Sequence, residues 1–238
     1  MERLQKILAK STSLSRRAAE EAIKNGFVSV NGHVVTKLGT KADAIRDKIT
    51  VSGKIARPVR YNIYIAFNKP RNTIVSKSDP EGRPTIWNRL STEMKESLNS
   101  AGRLDFDSEG LILLTNDGDM INKITHPSGK VSKTYLVKTS GIPDESGLKA
   151  LKEGIVLEDG KTQPAAVKII RKTEKNATLE ISIREGRNRE VRRMFARIGC
   201  PVTKLRRISI GTIRLGSLKP GAWRYLAKQE IFNLRKLF

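Results

Sequence analysis

The residues that build metal and redox chemistry are nearly absent. Among 238 residues there is one cysteine, Cys200, and two histidines, His33 and His126. A lone cysteine forms no internal disulfide and points to a reducing compartment. One Cys and two distant His do not build a structural zinc site. Gly-rich phosphate loops are missing as well. Apolar runs stay short, as in Leu111-Ile112-Leu113-Leu114, so no bilayer-spanning helix is expected. The charged start, Met1-Glu2-Arg3, predicts no secretory signal. Aromatics are only 5% of the chain, and no basic amphipathic helix shows exposed aromatics, which argues against association with anionic membranes.

Acid is also scarce relative to base. Asp plus Glu number 24 against 46 Lys plus Arg, a formal charge of +22. That excess predicts a polyanionic partner, nucleic acid or an anionic surface. With 38% hydrophobic and 29% charged residues, a packed core is expected rather than disorder. At ~150 residues per domain the length predicts one or two domains. No internal repeat or low-complexity tract interrupts the chain.

The best boundary lies near Arg57-Pro58-Val59-Arg60. It separates an N-terminal domain, residues 1–58, from a larger one, residues 61–238. The first segment holds twelve Lys/Arg and five Asp/Glu. Leu4, Ile7 and Leu8 fall on one helical face. Ser13 or Ser15 can cap a second helix over 16–24, which Asn25-Gly26 stops. Phe27 to Val35 reads as a hairpin on an Asn31-Gly32 type I′ turn, with a further strand at 48–51. Arg3, Lys6, Lys10, Arg16, Arg17 and Lys24 cluster on the two helices. A solvated face would explain them, but the net charge favours phosphate binding.

The remainder predicts strands over 63–68, 111–115, 133–139, 165–170, 177–183 and 205–215. Helices are expected over 118–125, 144–153, 189–198 and from Ala227. Strands come in runs, so the fold class is α+β with a mixed, mainly antiparallel sheet.

Three stretches carry possible chemistry. The first, Gly102-Arg103-Leu104-Asp105-Phe106-Asp107-Ser108-Glu109-Gly110, sets three acids at alternate positions before an apolar strand. It reads as a solvated turn, as half of a calcium loop whose bidentate Glu would fall on Asn116, or as a catalytic carboxylate. The residues alone leave the first and third open. The second, residues 184–214, holds ten Lys/Arg against two Glu. It reads as an exposed basic helix or as guanidinium groups that keep a buried carboxylate ionised. The third, Lys133-Thr134-Tyr135-Leu136-Val137, offers a strand tyrosine for packing or for stacking on an extruded base.

Glu2-Arg3-Leu4-Gln5-Lys6-Ile7-Leu8, Ser15-Arg16-Arg17 and Gly26-Phe27-Val28-Ser29-Val30-Asn31-Gly32 resemble the RNA-binding module named after the fourth small-subunit ribosomal protein. Over nearly the whole chain the sequence resembles ribosomal RNA pseudouridine synthases. The motifs are Gly-Arg-Leu-Asp with Gly-Leu-Ile-Leu-Leu-Thr-Asn-Asp-Gly, Lys-x-Tyr-Leu-Val, and Glu-Gly-Arg-Asn-Arg-Glu-Val-Arg-Arg-Met-Phe. Asn68-Lys69-Pro70 and Asp79-Pro80-Glu81-Gly82-Arg83-Pro84-Thr85 match too, and the pattern looks closest to the large-subunit branch. Asn72 replaces a common Gly, but Asn tolerates the left-handed backbone such a turn needs.

The resemblance implies isomerisation of one uridine to pseudouridine, most closely in large-subunit (23S) ribosomal RNA. Small-subunit (16S) RNA, or a non-catalytic role in ribosome assembly, are the alternatives. No redox change or energy input is needed, hence no cofactor and no metal. By the same resemblance Asp105 is the essential carboxylate, acting as a base or as a covalent partner of the sugar. Tyr135 stacks on the target uracil, and Arg192 is the basic partner of the catalytic Asp. Arg103 fills the gap left by the flipped nucleotide. Lys133, Arg187, Arg189 and Arg193 are expected to hold RNA in this domain, and Arg3, Lys6, Arg16 and Arg17 in the first. The expected partner is ribosomal RNA or a pre-ribosomal particle, met by a cytoplasmic monomer. Binding should weaken steeply with salt.

Overall fold

The structure, a computed structural model, describes residues 1–12, 14–57 and 61–238. Ser13 and the centre of the expected boundary, residues 58–60, lie outside the described residues. The chain divides into two compact units, Met1–Asn62 with Asn116–Gly118, and Ile63–Thr115 with Asp119–Phe238.

In the first unit, helix Leu4–Ser11 buries Leu4, Ile7 and Leu8, the face that the spacing predicts. The Ser15 hydroxyl caps helix Arg16–Lys24 by accepting from the Ala18 N–H at 3.1 Å. Past that helix only Gly26 takes a positive φ, +74°; Asn25 stays at −82°. Strands Val28–Val30 and His33–Val34 pair across Asn31 and Gly32, both left-handed. The Asn31 side chain ties this turn to the next strand, accepting from Lys48 N–H and donating to Asp47. The four strands run in the order His33–Val34, Val28–Val30, Ile49–Val51, Lys54–Ile55, all antiparallel.

The second unit is built on a nine-stranded sheet. Its main path runs Ala166–Lys172, Asn176–Ile183, Lys133–Ser140, Val202–Ile210, Glu109–Thr115, Tyr64–Lys69 and Trp223–Tyr225. Every adjacent pair is antiparallel except Val202–Ile210 with Glu109–Thr115, which is parallel. The sheet is thus mixed and mainly antiparallel. The expected strand over 205–215 is two strands, Val202–Ile210 and Ile213–Arg214, because Gly211 at φ +52° turns the chain between them. The short 3₁₀ turn Ile86–Arg89 and helix Thr92–Ser97 carry too little periodic pattern to be legible in the sequence.

Apolar packing on both faces explains the two central strands. Ile65, Phe67, Ile112 and Leu114 join one core; Tyr64, Ala66, Leu111 and Leu113 join the other. A strand covered on both sides reads as a continuous apolar run, as these do. Asn176–Ile183 instead alternates, burying Ala177, Leu179, Ile181 and Ile183. Helix Glu190–Arg197 turns Val191, Met194 and Phe195 into the first core, which aims its arginines elsewhere.

Candidate active site

The loop before strand Glu109–Thr115 is held by its backbone. Lys69 is fully buried at the end of an apolar strand, and its ammonium donates to the carbonyls of Pro70 (3.0 Å), Phe106 (3.3 Å) and Ser108 (2.7 Å). Burial pushes its pKa down to about 8, against the pull of Asp107, Asp105 and Glu109. Three carbonyl acceptors match the three protons of the charged form, so this lysine is an ammonium at neutral pH. Asn72 N–H donates to the Phe106 carbonyl from a left-handed residue (φ +57°), as its substitution for Gly allows. The buried Arg207 side chain donates to the Leu111 carbonyl at 2.7 Å and to the Arg103 carbonyl at 3.5 Å.

The three acids of this loop then separate in role. Glu109 faces Lys204 at 3.2 Å. Asp107 pairs with Arg192 at 3.0 Å and Arg189 at 3.4 Å. Asp105 lines a cavity of about 700 Å3, with Arg189 Nη1 at 3.8 Å from its carboxylate. Such a volume lies within the ~300–1,000 Å3 range of small-molecule sites.

The expected pairing of Arg192 with Asp105 is therefore corrected in detail. Arg192 donates to the Asp107 carbonyl, Ser108 Oγ and the Val202 carbonyl, and its ion pair is with Asp107. Burial lowers its pKa, and the charges of Asp107 and Asp105 oppose that fall. The guanidinium nearest Asp105 belongs to Arg189, which sits in left-handed conformation (φ +47°) just before helix Glu190–Arg197. Both arginines meet Asp107, and Arg189 alone also comes within ion-pair reach of Asp105.

Tyr135 and Lys133 line the same cavity from one face of strand Lys133–Ser140, both nearly buried. The Arg207 guanidinium lies 6.0 Å from the Tyr135 ring centroid. Lys133 is buried rather than presented to phosphates, and burial, then the charge of Arg207, depresses its pKa. Glu190, in the same wall, is pushed up by burial and by its contact with Glu185. Against the cost of burial, Glu185 is held low by Glu190, by the Gln163 N–H at 2.6 Å and by Arg187 at 2.9 Å. Glu190 Oε2 accepts from the Arg187 N–H at 3.0 Å, and burial together with the like charge of Glu185 favours its neutral form.

The remaining expected RNA ligands fall in three groups. Arg103 is exposed on the cavity wall. Arg187 and Arg193 are engaged internally. The Arg187 guanidinium meets Glu185, Asp159 and the carbonyls of Gly160 and Lys161; that of Arg193 meets both Asp159 oxygens at 2.8 Å. These contacts brace the loops beside the cavity. In the first unit Arg3, Arg16 and Arg17 are exposed, while Lys6 pairs with Glu2 at 2.6 Å.

Lys69, Arg207 and the Glu185–Glu190 pair carry site geometry that sequence reasoning did not assign. A lysine closing an apolar strand before a proline is a usable signal for Lys69. Arg207 is indistinguishable in sequence from the basic residues around it. Arg83 clamps its own loop through Asp79 at 2.8 Å and also lines the cavity.

Comparison with known proteins bears on this geometry. Residues 63–197 match the RNA pseudouridylate synthase family model, and residues 2–44 match the S4 domain. The chain is 44% identical to ribosomal large subunit pseudouridine synthase B of Bacillus subtilis (strain 168), over 100% of this chain and 97% of the relative. It is 43% identical to an uncharacterized RNA pseudouridine synthase of Aquifex aeolicus (strain VF5), over 98% and 94%. The crystal structure of a pseudouridylate synthase superposes with a TM-score of 0.72 at 34% identity, covering 98% of this chain and 100% of that one. With the match running through the loop that presents Asp105 and the strand that carries Tyr135, this chain belongs to the RNA pseudouridylate synthase family.

Proposed function

We propose that this protein isomerises one uridine of large-subunit ribosomal RNA to pseudouridine, with Asp105 as the essential carboxylate. One observation carries the reading. Of the three acids on the loop, Asp105 is the one in the cavity wall, beside an arginine and on the same cavity as Tyr135. The name of the Bacillus subtilis relative, matched almost end to end, supports the large subunit as the RNA.

The target nucleotide leaves its stack, at a cost of a few kcal/mol that phosphate contacts offset. Its uracil packs on Tyr135, and Asp105 meets the ribose as a base or as a covalent partner of C1′. The C1′–N1 bond breaks, and its electron pair leaves with the base. The uracil turns, C5 bonds to C1′, the C5 proton is lost and N1 gains one. Atoms and electrons balance within the substrate, so the reaction calls for no redox cofactor. Arg189 and Arg192 hold the loop carboxylates in place through their ion pairs. Arg103 occupies the space the flipped nucleotide vacates; its planar fork both stacks and hydrogen-bonds. RNA binding is assigned to residues 1–58 and the chemistry to residues 61–238, in a cytoplasmic monomer.

Asp105→Asn tests the reading. The variant should bind ribosomal RNA like the parent and form no pseudouridine. Product from that variant, or lost RNA binding in an intact fold, refutes the role of Asp105. Pseudouridine mapping in ribosomal RNA from cells with and without the protein identifies the target: one missing large-subunit site is expected.

A further inference from the structure

Arg207 holds more charge in the cavity wall than its structural contacts explain. Its side chain is 4% exposed. Nε is used on the Leu111 carbonyl and Nη1 on the Arg103 carbonyl. Nη2 is buried and meets no acceptor. None of the three nitrogens meets a carboxylate among the described residues. A guanidinium is a permanent cation with five N–H donors, and leaving it buried without a counter-ion is costly. A bracket to the Leu111 strand and to the Arg103 loop accounts for Nε and Nη1. It gives no reason for the third nitrogen or for the missing acid.

The surroundings say what the third nitrogen awaits. Tyr135 is the cross-strand partner of Arg207, and both line the cavity. Lys133, two residues before Tyr135, adds a second buried cation to the same wall. Glu190, the nearby acid, has Oε2 on the Arg187 N–H at 3.0 Å and is pushed toward its neutral form by burial and by Glu185. The part of the cavity beside the Tyr135 ring is therefore short of negative charge. Asp105, the acid assigned to the sugar, has Arg189 beside it at 3.8 Å, an arginine it shares with Asp107.

We propose that Arg207 is a further catalytic residue: its free Nη2 receives a carbonyl oxygen of the flipped uracil and stabilises the base anion released when C1′–N1 breaks. This rests on the reading of the Asp105 cavity as the uridine site. The bonding pair leaves with the base, and its charge is shared by N1, O2 and O4. The sugar's deficit is met by Asp105, through a bond to C1′ or by taking a ribose proton. In both cases the uracil is anionic until C5 attacks C1′, so the role of Arg207 does not depend on which route Asp105 takes. A preorganised cation aimed at developing charge in a dry site accounts for ~10²–10³-fold in rate in comparable cases.

The test compares two leaving groups at saturating RNA under single-turnover conditions. Fluorine at C5 withdraws electron density and makes the departing base a more stable anion, so 5-fluorouracil needs the cation less. Arg207→Gln and Arg207→Lys are assayed on ribosomal RNA fragments carrying uridine or 5-fluorouridine at the target. Nuclease digests separated by chromatography follow loss of the starting nucleoside, and RNA affinity and thermal melts are measured alongside. Arg207→Gln should lose ~10²–10³-fold on uridine and at least ~10-fold less on 5-fluorouridine, about 1.4 kcal/mol of selective relief. Arg207→Lys keeps a cation without the fork and should fall between Gln and the parent. If Arg207→Gln does not fold, the leaving-group ratio of Arg207→Lys decides alone. Equal losses on both substrates, or a change in RNA affinity with no change in the saturated rate, overturn the proposal. If Asp105→Asn is inactive while those losses are equal, the Arg207 role fails and the site reading stands. If Asp105→Asn is active, the site reading itself fails.

Discussion

Lys69→Met removes the ammonium beneath the Asp105 loop while keeping an unbranched side chain of similar length. Three hydrogen bonds to carbonyls disappear. At ~1.5–3 kcal/mol for each bond to a charged group, the gross loss is about 5–9 kcal/mol. The variant also escapes the cost of burying a charge. The fall in pKa from 10.5 to about 8 corresponds to about 3 kcal/mol. The net destabilisation is then about 2–6 kcal/mol, and for a chain of this size each kcal/mol lowers Tm by ~2–4 °C. The pH dependence gives a sharper signature. Between pH 8 and 10.5 the unfolded lysine holds a proton that the folded one has lost. Stability of the parent should therefore rise through that window by about 3 kcal/mol, and the rise should vanish in Lys69→Met. Urea unfolding at pH 7.5, 9 and 10.5 measures it for both proteins. Released carbonyls also loosen the loop, and a displacement of ~1 Å at a reacting group costs about 10²-fold in rate. Parallel stability curves across the pH range, or an unchanged single-turnover rate, would refute the reasoning.

Two more substitutions probe the frame around the site. Gly110 takes φ +110°, and an added Cβ would run into the backbone of Arg207 on the parallel neighbour strand. Gly110→Ala should cost more than about 3 kcal/mol through forced backbone movement; a melting temperature equal to the parent's would show that the two strands separate freely there. Glu190→Gln keeps a donor for Glu185 and removes the group whose folded-state pKa is raised above 4.5. The parent should lose stability as pH rises from the ordinary carboxylate range through that raised value, and the variant should not. Thermal melts at pH 5 and pH 8 check this, and an identical difference between the two proteins at both pH values rules out a raised pKa for Glu190.

What was legible in the sequence follows from local physics. Alternation in Leu179, Ile181 and Ile183 fixes a half-buried strand, because side chains of a strand repeat every two residues. The spacing of Leu4, Ile7 and Leu8 fixes a buried helical face, and Asn31-Gly32 fixes a hairpin turn. The glycine-flanked Asp105 loop and the arginine-rich segment after Arg184 likewise stand out by composition. Their pairing does not. Glu109 and Arg206 come together through a parallel contact between distant strands, and no local pattern encodes that choice.

Local pattern thus set most of the elements and the excess of basic charge, and the motifs shared with a known family pointed to Asp105, Tyr135 and Arg192. Only the tertiary structure decided which cation meets which acid. It assigns Arg192 to Asp107 and Arg189 to the neighbourhood of Asp105, and it ties Arg187 and Arg193 into internal braces. It also buries Lys69 and Arg207, two among 46 basic residues. The physical reason is range. Hydrophobic periodicity acts over one turn of chain, whereas ion pairing falls off over a few ångströms and joins residues up to 97 positions apart, as between Arg206 and Glu109.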